Sequence, residues 1–393
     1  MKQDVKNIYD SHVLSTYGRY PVTFLRGKGC RLWDDSDKEY IDFMSGLGVC
    51  SIGHSHPKWM EAITKQLGEL THVSNLYYSA PGGELAKKLC EYSGMSKAFF
   101  ANSGAEANEG LIKLARKYSK DKYGPGRHTI LTLRDSFHGR TMTTLTATGQ
   151  DKFHHHFDPF MPGFRYVDAG DIKALEAEGD DVCGLLIEVV QGEGGVKPLA
   201  DEYVKQAAKL CKERDWLLMI DEVQTGIGRI GPWFGFQHYG IEPDVVSFAK
   251  GIASGLPLGG FLTNEKTSNV LRPGDHATTY GGNLVCCAAA LATLEILEPV
   301  LPEVEKKGEY IRQRIMEMKL PNVVGVRGKG LMLGVELEGL VPGEVNLELL
   351  KAGLASLIAG TDVIRFLPPL VISIEDIDAG LNIFEKVMRR IQT

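Results

Sequence analysis

Apolar and polar positions along the chain fall into two alternating patterns. From about residue 55 onward, stretches with apolar residues at helical spacing predict helices over 57–70, 82–93, 104–120, 171–178, 201–214 and 283–298. Between them lie short apolar runs that predict strands over 97–101, 128–133, 164–167, 183–190, 216–221, 245–249 and 259–263. Runs such as GLLIEVV and LLMID are apolar at every position rather than at every second one. A strand of that kind must be covered on both faces, which predicts an α/β fold built on a central, mostly parallel sheet with helices on either side. Residues 20–48 read differently, as short strands joined by turns at Gly27/Gly29 and Asp34–Asp37. After about residue 300 the order is helix, strands near 324–338, helix, the strand VIRFL, and a final helix. The expected organisation is an N-terminal segment (1–50) that joins a smaller C-terminal α+β domain (296–393), around a large domain spanning 51–295.

Three short segments change this picture from a fold to a chemistry. Asn102–Asn108 follows an apolar strand and opens an amphipathic helix, where unpaired N–H groups and the positive dipole end suit a phosphate; taken alone, a plain Asn/Ser cap is the better reading. Asp221 closes the strand LLMID, and a carboxylate beyond a strand's carboxyl end can pair with a protonated ring nitrogen, or simply cap a loop. Lys250 follows the strand VVSFA directly. A lysine desolvated there has a lowered pKa and suits Schiff-base chemistry, although its stem could also carry the charge out to solvent. None of the three is specific alone. Together they supply a phosphate cradle, a pyridinium partner and an amine for an aldehyde.

With these segments in place, the sequence resembles the class-III, ω-amino group of fold-type-I pyridoxal-phosphate aminotransferases. The resemblance is carried by GHSHP (53–57), NSGAEANEG (102–110), FHGR (137–140), EVVQGEGG (188–195), DEVQTGIGR (221–229), FAKGI (248–252) and TTYGGN (278–283). It implies a large domain with a seven-stranded sheet, pyridoxal 5′-phosphate as cofactor, and Lys250 and Asp221 as the catalytic pair. It further implies Ser103, Gly104 and Ala105 at the phosphate, Phe137 and Val223 on the two ring faces, Gln224 at the phenolic oxygen, and Glu188 among the cofactor-binding residues. Thr279 would complete the phosphate site from a second subunit, so a homodimer is expected.

The same resemblance sets the substrates. Two arginines suit a dicarboxylate, with Arg365 at the carboxylate beside the reacting carbon and Arg140 at the distal one. An ω-amine donor has no carboxylate at its reacting end, and Glu193 would then neutralise Arg365. The expected donor is N2-acetylornithine, with 2-oxoglutarate as acceptor and glutamate as product. Succinylornithine, ornithine, 4-aminobutyrate and N-succinyl-diaminopimelate are the alternative donors. Leu47 stands where ornithine-specific relatives usually carry tyrosine, and Gly194-Gly195 where they show GEAG; both favour an N-acylated donor. Tyr17 matches the aromatic residue lining the donor site, Ser74-Asn75 a further pocket loop, and Val189 departs from the proline common after the glutamate.

Composition narrows the remaining classes. The net charge is −6 with no long basic run, which argues against nucleic acid. Neither GxGxxG nor GxxxxGK[ST] occurs at a strand-to-helix turn, which argues against a nucleotide-binding protein. A cofactor-sensing regulator would need a DNA-binding domain, for which the segment before the matched region leaves no room. The seven cysteines include no CxxC pair, MKQDVKNIYD has no apolar core segment, and no run reaches the ~18–20 apolar residues of a membrane span. A cytoplasmic protein away from membranes is therefore expected. His154-His155-His156 reads as a polar loop and not as a metal site, since consecutive residues cannot converge on one ion. His54 and His56 read as structural, His138 as non-catalytic, and Cys286-Cys287 as packed within a helix.

Overall fold

The computed structural model describes residues 5–391. Its centre is a seven-stranded sheet made from β1 (Lys97–Ala101), β2 (Thr129–Leu133), β3 (Phe164–Val167), β4 (Val182–Ile187), β5 (Leu217–Asp221), β6 (Val245–Phe248) and β7 (Gly259–Thr263), in the spatial order β1-β7-β6-β5-β4-β2-β3. All neighbours are parallel except β7, which runs antiparallel to both β6 and β1. The continuous apolar runs are explained by the two cores they serve. Leu217, Met219, Val245 and Phe261 pack under the helix α1 (Gly104–Tyr123), whereas Leu218, Ile220, Val246 and Leu262 face the larger core on the other side.

Most predicted elements lie within a few residues of the observed ones. The predicted strand 183–190 is shorter, ending at Ile187; Val190–Gln191 instead pairs with Lys197–Pro198 in a separate ribbon. A helix at Met142–Ala147 was not expected, because its three threonines are weak helix formers; Thr141 N–H donating to Thr144 Oγ1 (3.1 Å) caps its start.

The N-terminal strands Phe24–Lys28, Arg31–Asp34 and Glu39–Asp42 form an antiparallel meander. Its last strand pairs in parallel with Leu354–Ala355, Leu354 opposite Ile41. A second four-stranded antiparallel sheet runs Val323–Lys329, Met332–Leu337, Val363–Phe366, Leu357–Ala359. Its strand Val363–Phe366 carries Arg365. The helices Leu284–Leu297 and Leu301–Glu317 meet at a bend of 69°. Among the described residues no single helix is long and apolar enough to cross a membrane; only this bent pair reaches that length and composition, and much of its first helix is buried. Cys287 is buried in that helix and Cys286 half-buried. His154 Nε2 lies 2.9 Å from the Leu145 carbonyl oxygen, and no group of three or more His, Cys, Asp or Glu among the described residues could hold a metal ion.

Candidate active site

The carboxyl ends of β1, β5 and β6 open onto one cavity of about 430 Å³. Beyond β1, Ser103 caps α1 by accepting the Glu106 N–H at 3.2 Å, which leaves the N–H groups of Gly104 and Ala105 at the helix start for an anion. Gly104 has no room for a side chain: an added Cβ would lie 2.7 Å from Val223 Cγ1. The phosphate-type nest and the residue two places after the β5 aspartate are therefore in van der Waals contact, although 119 positions of sequence separate their numbers, 104 and 223.

At the end of β5, Asp221 is 4% exposed. Its Oδ2 accepts from Asn108 Nδ2 at 2.7 Å and pairs with His138 Nδ1 at 2.8 Å, while Oδ1 accepts the Val223 N–H at 3.0 Å. Burial alone would push this carboxyl up. The His138 hydrogen bond and charge, with the Val223 and Asn108 donors, override burial and hold it below the ordinary carboxylate range. His138 is fully buried at its side chain and its Nε2 has no partner among the described residues. His138, Asn108 and, at 3.3 Å, Ser247 Oγ are the supports of Asp221 that sequence reasoning missed. Each belongs to a quoted or neighbouring segment, but nothing in its spacing shows which strand end it meets.

Lys250 follows β6 with a left-handed φ of 42°, a conformation rarely adopted by a side chain with Cβ. Burial lowers its pKa, with Arg365 adding to the effect and Glu193, Asp221 and Glu188 opposing it. Its amine forms no hydrogen bond or ion pair among the described residues. Glu188 accepts N–H groups from Phe137 (2.9 Å) and Gly192 (3.3 Å); burial, helped by Asp221, raises its pKa. Arg365, 1% exposed, donates from Nη1 to Glu193 Oε1 at 2.7 Å and lies 3.5 Å from Gln224 Oε1. Burial acts upward on the Glu193 carboxyl, but Arg365, with Lys250 and Lys152, outweighs it and the net shift is downward. Arg140 has no carboxylate partner among the described residues. Its guanidinium lies 3.9 Å from the Phe153 ring centroid and 5.4 Å from that of Phe137.

Eleven of the residues singled out from sequence line this cavity: Ser103, Gly104, Ala105, Phe137, Arg140, Glu188, Glu193, Asp221, Val223, Gln224 and Lys250. Four do not. Arg365 sits behind Glu193. Leu47 is 49% exposed beside Val49, which does line the wall. Tyr17 is 74% exposed with the Arg19 guanidinium 5.7 Å from its ring. Thr279 lines a neighbouring depression with Asn102 and Glu106, on a segment that Asn75 Nδ2 holds through the Gly281 carbonyl at 2.8 Å.

An unpaired desolvated amine, a buried ionised acid, an anion nest and a cavity between them fit one ligand class. The fold and these convergent groups define a fold-type-I enzyme of the kind that uses pyridoxal 5′-phosphate. The chain belongs to the class-III aminotransferases, whose family profile matches residues 14–388. It is 47% identical over 386 residues to the acetylornithine aminotransferase of Caldanaerobacter subterraneus subsp. tengcongensis, covering 97% of this chain and 98% of the other. It is also 47% identical to that of Haemophilus ducreyi, covering 98% of each chain. Among solved structures, the ornithine aminotransferase of Toxoplasma gondii superposes with a TM-score of 0.95 at 30% identity, over 100% of this chain and 95% of the other; its crystals hold pyridoxal phosphate at partial occupancy. The N-acetylornithine aminotransferase of Stenotrophomonas maltophilia K279a gives a TM-score of 0.86 at 32% identity, over 98% of both chains.

Proposed function

We propose that this chain transfers the ω-amino group of N2-acetylornithine to 2-oxoglutarate, giving N-acetylglutamate 5-semialdehyde and glutamate, the reaction of arginine biosynthesis. The observation that carries the proposal is the Glu193–Arg365 pair, 2.7 Å long and set against the cavity. A buried guanidinium left unpaired costs several kcal/mol, so an amine arriving without a carboxylate at its reacting end needs Arg365 already neutralised. An acceptor with two carboxylates needs it released. Arg140, with no acid partner among the described residues, holds the carboxylate at the far end of either substrate.

Bound pyridoxal 5′-phosphate supplies an aldehyde to receive the amine and a ring that accepts the electron pair left when the substrate C–H bond breaks. The protein does the rest. Lys250 Nζ, its pKa lowered by burial, takes that proton and returns it. Asp221, kept ionised by His138 and Asn108, holds a proton on the ring nitrogen. Ser103, Gly104 and Ala105 would anchor the phosphate, Phe137 and Val223 would enclose the ring, and Gln224 would meet its phenolic oxygen, all of them lining the cavity. Glu188 ties the Phe137 and Gly192 backbones together.

The enzyme is a homodimer in this reading, with Thr279 of the partner subunit completing the phosphate site. Tyr17 and Leu47 line the donor pocket. Of the expected smaller domain, 1–50 with 296–393, the described residues 5–50 and 296–391 pack against 51–295 in this reading, and 1–4 and 392–393 lie outside the described residues. All seven cysteines are free thiols, which suits a reducing compartment and hence the cytoplasm. Purified protein offered acetylornithine, succinylornithine, ornithine and 4-aminobutyrate should show kcat/KM highest for acetylornithine, with free ornithine lower by about tenfold or more, the worth of one pocket contact. A preference for free ornithine would overturn the assignment of donor.

A further inference from the structure

Glu193 faces two ways. Arg365, to which it is bonded, has a side chain only 2% exposed, whereas that of Glu193 is 35% exposed. Its backbone cannot carry it far. The Gly360 N–H donates to the Glu193 carbonyl at 3.1 Å, and Arg327 Nε donates to the Gly195 carbonyl at 2.6 Å. A Cβ added at Gly192 would lie 2.4 Å from Gln224 Oε1, and one at Gly194 would lie 2.6 Å from the Asp135 carbonyl oxygen. The segment is packed, so a carboxylate released from Arg365 moves only by rotating its own side chain.

On its open side Glu193 lines a second cavity of about 410 Å³, with Arg134, Lys152 and Lys197 as the cations on its wall. Two of these are engaged: Lys197 with Asp135 at 3.0 Å and Arg134 with Asp168 at 3.2 Å. Lys152 has no carboxylate partner among the described residues. Its Nζ lies 4.9 Å from the centroid of the Phe153 ring, which also carries the Arg140 guanidinium. The Lys152 charge already reaches Glu193: after Arg365 and Lys250, it is among the groups that offset burial and keep this carboxyl ionised.

We propose that Lys152 is the second partner of Glu193, receiving its carboxylate when a dicarboxylate acceptor takes Arg365. The proposal rests on the reading of Arg365 as the acceptor's carboxylate site. Without such a cation, the displaced carboxylate would stand unpaired beside an incoming carboxylate, and the two would repel. Lys152 is thus a positioning residue that sets affinity for the acceptor and leaves the donor alone, because with the donor bound Glu193 stays on Arg365.

The two half-reactions of the holoenzyme, followed separately by single-turnover absorbance, test this. Lys152→Ala should raise the half-saturating concentration of 2-oxoglutarate about three- to fivefold, the worth of one partly exposed ion pair, and leave the acetylornithine half-reaction unchanged. Lys152→Arg should restore the wild-type value. In a Glu193→Gln background, Lys152→Ala should have no further effect. Equal effects on both half-reactions, no effect on either, or an undiminished effect in the Glu193→Gln background would each overturn the role of Lys152. If Glu193→Gln itself leaves the ratio of the two half-reactions untouched, the Arg365 reading fails, and the Lys152 proposal falls with it.

Discussion

Burial at the end of β5 would by itself favour a neutral acid at Asp221, yet Asn108 Nδ2 and His138 Nδ1 both lie within hydrogen-bonding distance of the same oxygen, at 2.7 and 2.8 Å. The His138 contribution is the largest of those opposing burial. Replacing His138 with leucine removes a buried, charge-assisted hydrogen bond worth about 1.5–3 kcal/mol, so Asp221 should titrate higher and kcat should fall about ten- to a hundredfold. Because the ionised acid is the working form, the acid limb of the kcat profile should move to higher pH. His138→Asn, which offers an amide donor in place of Nδ1, should recover much of the loss. A pH profile that stays in place in His138→Leu would show that the histidine only fills space. At this scale Lys250, Asp221 and Ser103–Ala105 were legible, because each stands at a strand end or helix start that the apolar pattern marks. His138 and Asn108 were not. One lies in a loop and the other in the second turn of α1, and their polarity acquires meaning only through the strand end they meet.

Ser45, Gly46, Leu47 and Gly48 have φ values of 40°, 62°, 70° and 76°, a turn of left-handed backbone beside the cavity. For Ser45 and Leu47 that conformation costs about 1–2 kcal/mol each. Buried Asp42 holds the turn: Oδ1 accepts the N–H groups of Met44 (2.9 Å) and Ser45 (2.7 Å), and Oδ2 pairs with His54 Nε2 at 2.7 Å. Ser45 Oγ closes it by donating to the Leu367 carbonyl at 2.6 Å. Burial lowers the His54 pKa, but hydrogen bonding to Asp42 and Cys50 and their charges win and push it up to about 10. A histidine raised in the folded state contributes stability that is complete below about pH 6.5 and is lost as pH climbs through about 10. Urea unfolding should therefore show the wild type losing a few kcal/mol, on the order of 2–4, between pH 6 and pH 10 beyond any general trend. Asp42→Asn should flatten that dependence and be less stable at pH 6. An equal slope in the variant would exclude this pair as its source. The sequence marked His54 as structural and turns at Gly27/Gly29 and Asp34–Asp37, but no turn at 45–48. It could not show the handedness, which depends on His54 fixing the buried Asp42 carboxylate and on the Ser45 hydroxyl reaching the Leu367 carbonyl, both contacts from elsewhere in the chain.

Across the whole molecule, the N-terminal strands were expected to join the C-terminal part, and Leu354–Ala355 does pair with Ile41–Asp42. Apolar patterning gave the seven strands; their order, with β7 antiparallel between β1 and β6, depends on crossovers that no local pattern records. The proposed dimer is the claim that stands furthest from any single chain. Leu76 and Tyr77 are 89% and 72% exposed, and Tyr280 is 64% exposed. Large apolar side chains this open on two adjoining segments suit a contact face for the proposed second copy. The same surface carries Thr279, and Asn75 binds the Gly281 carbonyl at 2.8 Å, which ties the apolar segment to the segment of the threonine. If a second copy covers this face, Leu76→Glu with Tyr77→Glu places two desolvated carboxylates in the contact and should yield a monomer by sedimentation. The monomer should keep its far-ultraviolet dichroism, since neither side chain is part of the core, but it should lose pyridoxal phosphate on dialysis, because Thr279 of the partner subunit no longer closes the phosphate site. A folded monomer that retained the cofactor would show each chain to hold it unaided. That result would remove Thr279 from the site while leaving Lys250, Asp221 and the helix start of α1 in place.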